Sequence, residues 1–178
     1  MTYQVDKDGF PIFPYHPNAK DIAFEKTNET VTCDCCHKET TYHYQGMYAV
    51  EDIDYLCPEC IVTGKAADTF DGDFIQDVEF GHSIDVNKTK EFLRTTPGYV
   101  SWQGEHWLTH CNDFCEYLGS VGVKELEELG ILDEVCNDYE ALGGYEDTRK
   151  YLEKDGSFCG YLFRCKHCGK YRIHVDAD

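Results

Sequence analysis

Four cysteines in two Cys-x-x-Cys pairs constrain the fold of this chain more than any other feature. The pairs are Cys33 with Cys36 and Cys57 with Cys60, and 20 residues lie between them. Each pair can turn tightly and aim both sulfur atoms at one point, so the two turns form the tetrahedral cage that Zn²⁺ prefers. Four protein sulfurs leave no position for water or substrate, so we expect a structural zinc ion. Cys35 is an alternative that could replace Cys33 or Cys36 as a ligand.

A second zinc site is predicted from the C-terminal half. Cys165 and Cys168 form another Cys-x-x-Cys pair, and Gly169 supplies the backbone freedom that such a turn needs after its second cysteine. Cys111 and Cys115 lie four residues apart in a segment with helical apolar spacing, and would project from one helix face. We therefore predict a second structural site with these four cysteines as ligands.

Alternatives to this second ligand set remain open. Three histidines compete for the places of Cys111 and Cys115, namely His106, His110 and His174. Without partners, Cys165 and Cys168 would form a bare dithiol with redox character. The two remaining cysteines, Cys136 and Cys159, are interpreted as core residues.

The chain-wide pattern predicts a single α+β domain over residues 1–178. Zinc-ribbon-like β-hairpins with cysteine knuckles at both ends would pack against a central group of helices. The N-terminal ribbon unit spans 30–70, with strands at 41–44 and 47–50 around Gly46. Residues 84–155 are mostly helical, and 156–178 form a knuckle hairpin that packs back on the helices. Helices are predicted at 58–68, 86–95, 104–118, 124–129, 131–142 and 146–153.

The N-terminal arm before the first cysteine cannot be helical. Pro11, Pro14 and Pro17 fall within seven positions, and each removes a backbone donor and restricts the residue before it. We expect an extended arm laid over the domain.

The charge balance excludes most nucleic-acid functions. The chain has 34 acidic and 16 basic residues and a net charge of −18. Residues 51–91 hold 11 acidic and 3 basic side chains, and residues 124–155 hold 11 and 4. A phosphate backbone would be repelled by this field. The acidic stretches are either a solvated, solubilising surface or an attraction for a basic protein partner.

The cysteines also indicate a compartment. Residues 1–17 lack the apolar segment of a signal peptide, and no run of 18 apolar residues predicts a membrane span. The 11 cysteines are an odd number, which suits thiolates on metal better than disulfides. We expect a cytoplasmic protein that does not bind membranes.

Motifs for catalysis are weak. Glu105 precedes His106 and His110, whereas a metalloprotease needs the glutamate between the histidines. The proline inside the Cys57 pair does not match the zinc deaminase signature. A nuclease site of His106, His110 and Asp113 is conceivable, but the acidic surface opposes it. We expect no catalytic residues.

Several longer motifs extend over nearly the whole chain. They are Phe13-Pro14-Tyr15-His16-Pro17, Cys33-x-Cys35-Cys36, Leu56-Cys57-Pro58-x-Cys60-Ile61, Gly64-x-Ala66-Ala67, Phe70-Asp71-Gly72, Thr96-Pro97-Gly98, Trp102-Gln103, Trp107-Leu108-x-His110-Cys111-x-Asp113-x-Cys115 and Phe163-Arg164-Cys165-x-x-Cys168-Gly169. With these motifs the chain resembles the CbrC family of bacterial proteins of uncharacterised function. His37 departs from the pattern, because glycine often follows a zinc knuckle.

The resemblance implies no activity, but the family name is tied to tolerance of a nuclease-type colicin. Together with the acidity, this predicts a non-catalytic, zinc-stabilised immunity protein that neutralises a basic toxin. Tyr42, Tyr44 and Tyr48 would serve as rigid binding anchors. The alternatives are a regulatory or adaptor zinc protein with another protein partner, and a zinc- or thiol-dependent enzyme.

Overall fold

A computed structural model describes residues 3–79 and 83–177. Within these ranges the chain is α+β, with short helices and small sheets, which confirms the predicted class. We expected one domain, and the chain divides into two compact units. Unit 1 lies within Met1–Asp77 and Ser83–Val100, and unit 2 lies within Val78–His82 and Ser101–Asp178. Each unit contains one of the predicted cysteine sites.

Unit 1 is built from four short helices and one pair of strands. These are α1 (Ala19–Ile22), β1 (Glu25–Thr32), β2 (Glu39–His43), α2 (Pro58–Val62), α3 (Lys65–Phe70) and α4 (Val86–Thr95). The helix predicted at 58–68 is two helices, because Gly64 adopts a left-handed φ of 73° between them. The helix predicted at 86–95 is confirmed, and the Asp85 side chain accepts hydrogen bonds from the first free N–H groups of α4.

The strands of unit 1 pair differently from the prediction. β1 and β2 are antiparallel, with Thr32 opposite Glu39, and the Cys33 knuckle forms the turn between them. The predicted hairpin of 41–44 with 47–50 is wrong. In the described chain, residues 47–50 contribute only an isolated bridge at Tyr48. The two sides of the expected turn pair with different segments, since Tyr44 bridges Leu56 and Tyr48 bridges Asp73.

Aromatic rings form much of the core of unit 1. Phe10 packs edge-on against Phe24 with ring centroids 5.2 Å apart, and Phe13 stacks on Phe24 at 5.6 Å. Phe10 and Phe13 come from the proline-rich arm, whose residues 10–17 contain no helix. The arm is therefore part of the core, and its prolines hold it in a non-helical path.

The three tyrosines predicted as binding anchors have different environments. Tyr44 is buried, and its hydroxyl accepts a hydrogen bond from the Gly98 amide at 3.1 Å. Tyr42 is half-buried, and Tyr48 is exposed. Tyr44 therefore belongs to the core and offers no surface to a partner.

Unit 2 contains a three-stranded sheet, two small strand pairs and three helices. The chain reaches it through β3 (Asp77–Val78). Its own elements are β4 (His106–Trp107), β5 (Thr109–His110), β6 (Asp113–Phe114), β7 (Glu116–Val121), α5 (Val123–Glu128), α6 (Leu132–Ala141), α7 (Thr148–Tyr151), β8 (Phe158–Arg164) and β9 (Tyr171–Ala177). The sheet order is β7-β8-β9, and both pairings are antiparallel. The predicted C-terminal hairpin is confirmed as β8 and β9.

The core of unit 2 lies between its helices and the sheet. Val135 and Cys136 of α6 are fully buried in one apolar cluster with Ile173 and Val175 of β9. Gly130, with a φ of 70°, separates α5 from α6 at the predicted break. The buried positions of Cys136 and Cys159 agree with their interpretation as core residues.

The helix predicted at 104–118 is wrong, because this segment forms strands β4 to β7. β5 and β6 make a tight antiparallel hairpin with Thr109 opposite Phe114. The two turn residues are Cys111 and Asn112, with φ of 52° and 58°. Two consecutive positive φ angles are the signature of a type I′ turn, for which asparagine is well suited. The Trp107 indole also donates to the Cys115 carbonyl at 2.8 Å, so tertiary packing overrides the helical spacing.

Candidate metal centres

Site 1 in unit 1 begins with the knuckle at the end of β1. The Cys33 amide donates to the Lys38 carbonyl at 2.9 Å, and the His37 amide donates to the Cys33 carbonyl at 2.8 Å. His37 has a left-handed φ of 59°. These bonds close the turn and turn both Cys33 and Cys36 toward the same point.

The other half of site 1 is the start of α2. Cys57 precedes the helix, and Pro58 occupies its first position, where the missing N–H leaves no bond unmade. The Cys57 amide donates to the Cys33 sulfur at 3.3 Å, which ties the two halves together. The helical turn then brings Cys60 back beside Cys57.

The four predicted ligands of site 1 lie together. The sulfurs of Cys33, Cys36, Cys57 and Cys60 are within 4.8 Å of one another. Cys36 Sγ and Cys57 Sγ are 3.8 Å apart, and all four residues are free thiols. Three of the four are buried. The cluster could hold one metal ion.

The clustered thiols of site 1 shift one another's pKa values in opposite directions. Hydrogen bonds from Cys57 and Cys60 lower the pKa of Cys33 far below its usual range. The bond to Cys33 raises the pKa of Cys57 to about 12 and raises the pKa of Cys60 strongly. One thiolate is therefore stabilised at the expense of its neighbours. A divalent cation removes this conflict because it stabilises all four thiolates.

Cys35 and Asp34 are close to the ligands of site 1 in sequence but do not belong to its cluster. Cys35, considered as an alternative ligand, lies outside the cluster, with its sulfur 3.6 Å from the Thr69 hydroxyl. The Asp34 carboxylate accepts hydrogen bonds from the Asp54 and Tyr55 amides at 2.9 and 2.8 Å. Asp34 therefore anchors the segment that leads into Cys57. This role of Asp34 was not predicted, although aspartate beside a turn often binds backbone amides.

Site 2 in unit 2 repeats the knuckle in the turn between β8 and β9. The Cys165 amide donates to the Lys170 carbonyl at 2.8 Å, and the Gly169 amide donates to the Cys165 carbonyl at 3.0 Å. Gly169 has a φ of 75°. The knuckle predicted at Cys165 and Cys168 is therefore present.

The other half of site 2 is the β5–β6 hairpin. Its type I′ turn presents His110 and Cys111 to the knuckle. His110 Nδ1 lies 3.2 Å from Cys111 Sγ and 3.3 Å from Cys168 Sγ. The ligand atoms of His110, Cys111, Cys165 and Cys168 all lie within 4.8 Å of one another. This cluster of three sulfurs and one nitrogen could also hold a metal ion.

The structure corrects the ligand set predicted for site 2. Cys115 is fully buried and lies outside the cluster, and His110 takes the place expected for it. Cys115 lies outside the cluster because this segment forms a hairpin. Positions 111 and 115 would share a face only if the segment were a helix. Two competing histidines, His106 and His174, also lie outside the cluster.

The Asp113 side chain forms contacts in both halves of site 2. Its carboxylate contacts His167 Nε2 at 2.8 Å and accepts the Phe114 amide at 2.8 Å. His167 lies between the two cysteines of the knuckle, so Asp113 joins the hairpin to the knuckle. Carboxylates that form hydrogen bonds around a metal site commonly orient its ligands. The three residues of the nuclease site considered from sequence, His106, His110 and Asp113, do not together form one of the clusters of described residues whose ligand atoms lie within 4.8 Å of one another.

The two sites differ in exposure. Site 1 has buried Cys33, Cys57 and Cys60, whereas Cys111 and Cys168 of site 2 are exposed. Both clusters nevertheless supply four protein ligands of the types that suit a tetrahedral ion. The fold and these clusters define a class of small α+β proteins with two cysteine-rich clusters that could each hold a metal ion.

Comparison with known proteins gives the family. A family model described as "Uncharacterised protein family (UPF0167)" matches residues 10–177. UPF0167 protein Mb2317 of Mycobacterium bovis is 36% identical over 178 residues, covering 93% of this chain and 92% of the relative. UPF0167 protein PA1536 of Pseudomonas aeruginosa is 34% identical over 178 residues, covering 94% and 96%. The chain belongs to the UPF0167 family.

This membership corrects the expected CbrC assignment, since the matching family and relatives carry the UPF0167 description. The colicin association that came with the CbrC resemblance loses its support with that assignment. No solved structure matches the chain. Among residues 3–79 and 83–177, every helix is too short or too polar to cross a bilayer.

Proposed function

We propose that this protein is a non-catalytic, zinc-stabilised binding protein whose partner is a basic protein. The observation that carries the proposal is the pair of four-ligand clusters, one in each unit, each built from a cysteine knuckle and a second turn. Each cluster joins segments that are distant in sequence, so a bound ion would stabilise the unit around it.

The donor atoms favour zinc. Sulfur and imidazole donors are preferred by Zn²⁺, whereas Ca²⁺ and Mg²⁺ prefer oxygen donors. Both clusters contain only cysteine and histidine. All 11 cysteines are free thiols in the structure, and thiols persist in a reducing compartment such as the cytoplasm. We therefore assign Zn²⁺ to both sites and the protein to the cytoplasm.

A structural role for the ions follows from the ligand count. A catalytic zinc keeps one position open to water or substrate, whereas four protein ligands fill a tetrahedral site. Site 1 has four sulfurs, and site 2 has three sulfurs and one nitrogen. Neither set leaves a position for substrate, which supports binding in place of catalysis.

The surface supports a basic protein partner. The net charge is −18, and α5 and α6 present the exposed carboxylates of Glu127, Glu128, Asp133 and Glu134. Exposed apolar side chains occur in the same part of the chain, including Leu129, Leu142, Tyr145 and Tyr151. Acidic groups attract a basic protein, and apolar and aromatic side chains then supply contact area.

A nuclease-type toxin is one basic partner of this description, and a basic regulatory protein is the alternative. The toxin and the regulatory protein are distinguished once a partner protein has been isolated by its binding to this protein. The zinc-loaded protein is then added to that isolated partner. Loss of a nuclease activity on binding supports toxin neutralisation. A partner without such activity supports the regulatory or adaptor role.

The charge argument is tested with two matched variants. One carries E127Q, E128Q, D133N and E134Q in unit 2, and the other carries E29Q, E51Q, D52N and E91Q in unit 1. Each variant loses four exposed negative charges, so their net charges are equal. We expect the affinity for the captured partner to fall with ionic strength, and the unit 2 variant to bind at least about tenfold more weakly than the unit 1 variant. Equal, salt-independent affinities would contradict the proposal.

A further inference from the structure

Two of the three cysteines of site 2 are open to solvent. Cys111 and Cys168 are exposed, whereas Cys165 is buried, with its sulfur 3.9 Å from the His110 carbonyl oxygen. In site 1, three of the four cysteines are buried. A small oxidant dissolved in water therefore reaches two sulfurs of site 2 more easily than it reaches the sulfurs of site 1.

The two exposed sulfurs are also close to one another. All four ligand atoms of site 2, including the sulfurs of Cys111 and Cys168, lie within 4.8 Å of one another. A disulfide requires a distance of about 2 Å between its sulfurs, so the two atoms must approach by at most about 3 Å. Rotation of two exposed side chains supplies a movement of this size.

A contact beside the ligands holds the two exposed cysteines together. Asp113 lies two residues after Cys111 in the β5–β6 hairpin, and His167 directly precedes Cys168 in the knuckle. Asp113 Oδ2 and His167 Nε2 are 2.8 Å apart, and Asp113 is buried. Neither residue belongs to the ligand cluster, so this link between hairpin and knuckle does not depend on a bound ion.

Loss of the two exposed sulfurs would leave too few ligands for zinc. Of the four ligands of site 2, Cys165 and His110 would remain. A structural zinc site has four protein ligands, and even a catalytic site has three. Oxidation of Cys111 and Cys168 is therefore sufficient to release the ion from unit 2.

We propose that site 2 is a redox-sensitive site, at which hydrogen peroxide converts Cys111 and Cys168 into a disulfide and releases the zinc ion. Both sulfurs are thiolates when zinc is bound. One thiolate attacks the peroxide, so that a sulfur–oxygen bond forms, the oxygen–oxygen bond breaks and hydroxide leaves. The second thiolate attacks the resulting sulfenic acid, so that the sulfur–sulfur bond forms and a second hydroxide leaves. The sulfurs are oxidised, the peroxide is reduced, and the two hydroxides take up two protons to become water.

This proposal rests on the zinc ion proposed for site 2 and adds a means of regulating it. In the oxidised form, the disulfide joins the same hairpin to the same knuckle that the ion joined. Thiol reductants convert a disulfide back to thiolates by exchange, so the change is reversible when Zn²⁺ is present.

The test uses the full-length, zinc-loaded protein, purified under reducing conditions and then freed of the reductant. Hydrogen peroxide is added, released ions are separated from the protein, and elemental analysis gives the zinc that remains. We expect one zinc per chain to be lost at least about tenfold faster than the other, because access limits the oxidation of thiolates. Peptide mass spectrometry should identify a disulfide between Cys111 and Cys168. A thiol reductant with added Zn²⁺ should restore the original zinc content.

Two variants sharpen the test. C111H keeps a zinc-binding side chain at position 111 but removes a sulfur that the disulfide needs, and histidine tolerates the left-handed φ of 52° there. Peroxide should release zinc from site 2 of C111H at least about tenfold more slowly. C35S is the matched control, because it removes a thiol that belongs to neither cluster. It should lose zinc as fast as the unchanged protein.

The outcomes separate the redox proposal from the zinc assignment. Protein that contains no zinc before oxidation would overturn both. The redox proposal alone is overturned if peroxide releases two ions at equal rates, if the disulfide contains Cys165, or if C111H loses zinc as fast as C35S. The disulfide found in the unchanged protein decides the proposal even if C111H fails to bind two ions.

Discussion

His37 and Gly169 occupy the same position in two separate knuckles, directly after the second cysteine, and both have a left-handed backbone with φ of 59° and 75°. Each donates its amide to the carbonyl of the first cysteine of its knuckle, at 2.8 and 3.0 Å. The two candidate metal centres therefore share one local backbone design. In unit 1 that design carries a conformational cost, because a side chain at positive φ is disfavoured.

This shared position predicts opposite effects of two substitutions on stability. H37G should raise the free energy of unfolding by up to about 1 kcal/mol, because glycine adopts positive φ without steric cost. G169A should lower it by about 1 kcal/mol, and no atom lies within 4 Å of the added methyl group to complicate the comparison. Urea denaturation of the zinc-loaded proteins measures both. A destabilised H37G would show that the His37 side chain contributes more than its backbone costs.

The ligand set of site 2 predicts different metal contents for two variants. H110A should retain one zinc per chain, because His110 supplies one of the four ligand atoms. C115A should retain two, and should lose only about 1–2 kcal/mol of stability from the cavity left by a buried thiol. Elemental analysis gives the metal content. One zinc in C115A and two in H110A would restore the ligand set first predicted from sequence.

The exposure of the two sites predicts an order of metal release. Cys111 and Cys168 of site 2 are exposed, whereas three ligands of site 1 are buried. A chelator should therefore remove one zinc at least about tenfold faster than the other, since buried ligands need local opening. C111S should abolish the fast phase and C36S the slow phase. Release of both ions in a single phase would contradict this order.

The Glu79–Arg172 pair predicts a pH-dependent contribution to stability. Partial burial raises the pKa of Glu79, but the hydrogen bonds from Arg172 and Thr109 outweigh it and hold the pKa below its usual value. The stabilisation of the folded state that follows from this lowered pKa is fully present above the unfolded pKa of about 4.3. It is lost as the pH falls through the pKa of Glu79 in the folded state.

E79Q should accordingly lower the free energy of unfolding by about 2–3 kcal/mol at pH 7, because Arg172 stays buried without its partner. The difference between E79Q and the unchanged protein should shrink as the pH falls below about 4. E127Q is the control, an exposed position where we expect less than about 0.5 kcal/mol. Denaturation at a series of pH values checks the prediction. A difference that stays constant with pH would assign the effect of E79Q to shape alone.

Local spacing was enough to predict much of the structure. The knuckles at Cys33 and Cys165, the helix at 86–95 and the break at Gly130 all follow from a few neighbouring residues. Each of these features depends on short-range geometry, such as the reach of a Cys-x-x-Cys turn or the freedom of glycine.

Features that depend on tertiary pairing could not be predicted in this way. The spacing of Trp107, Phe114 and Cys115 fits a helix, yet the hairpin and the Trp107 contact decide the outcome. This change from helix to hairpin moves Cys115 into the core and brings His110 to the candidate metal site. The Cys111-Asn112 turn was the available signal, since asparagine favours the positive φ of a type I′ turn.

We propose that seven sulfurs and one histidine nitrogen hold two zinc ions in this protein. Zinc X-ray absorption spectroscopy of the protein, purified under reducing conditions, tests it most directly when combined with the metal content. We expect two zinc ions per chain and an average shell of 3.5 sulfurs at about 2.3 Å and 0.5 nitrogen at about 2.0 Å. A protein without zinc, or zinc surrounded mainly by oxygen and nitrogen, would contradict the account.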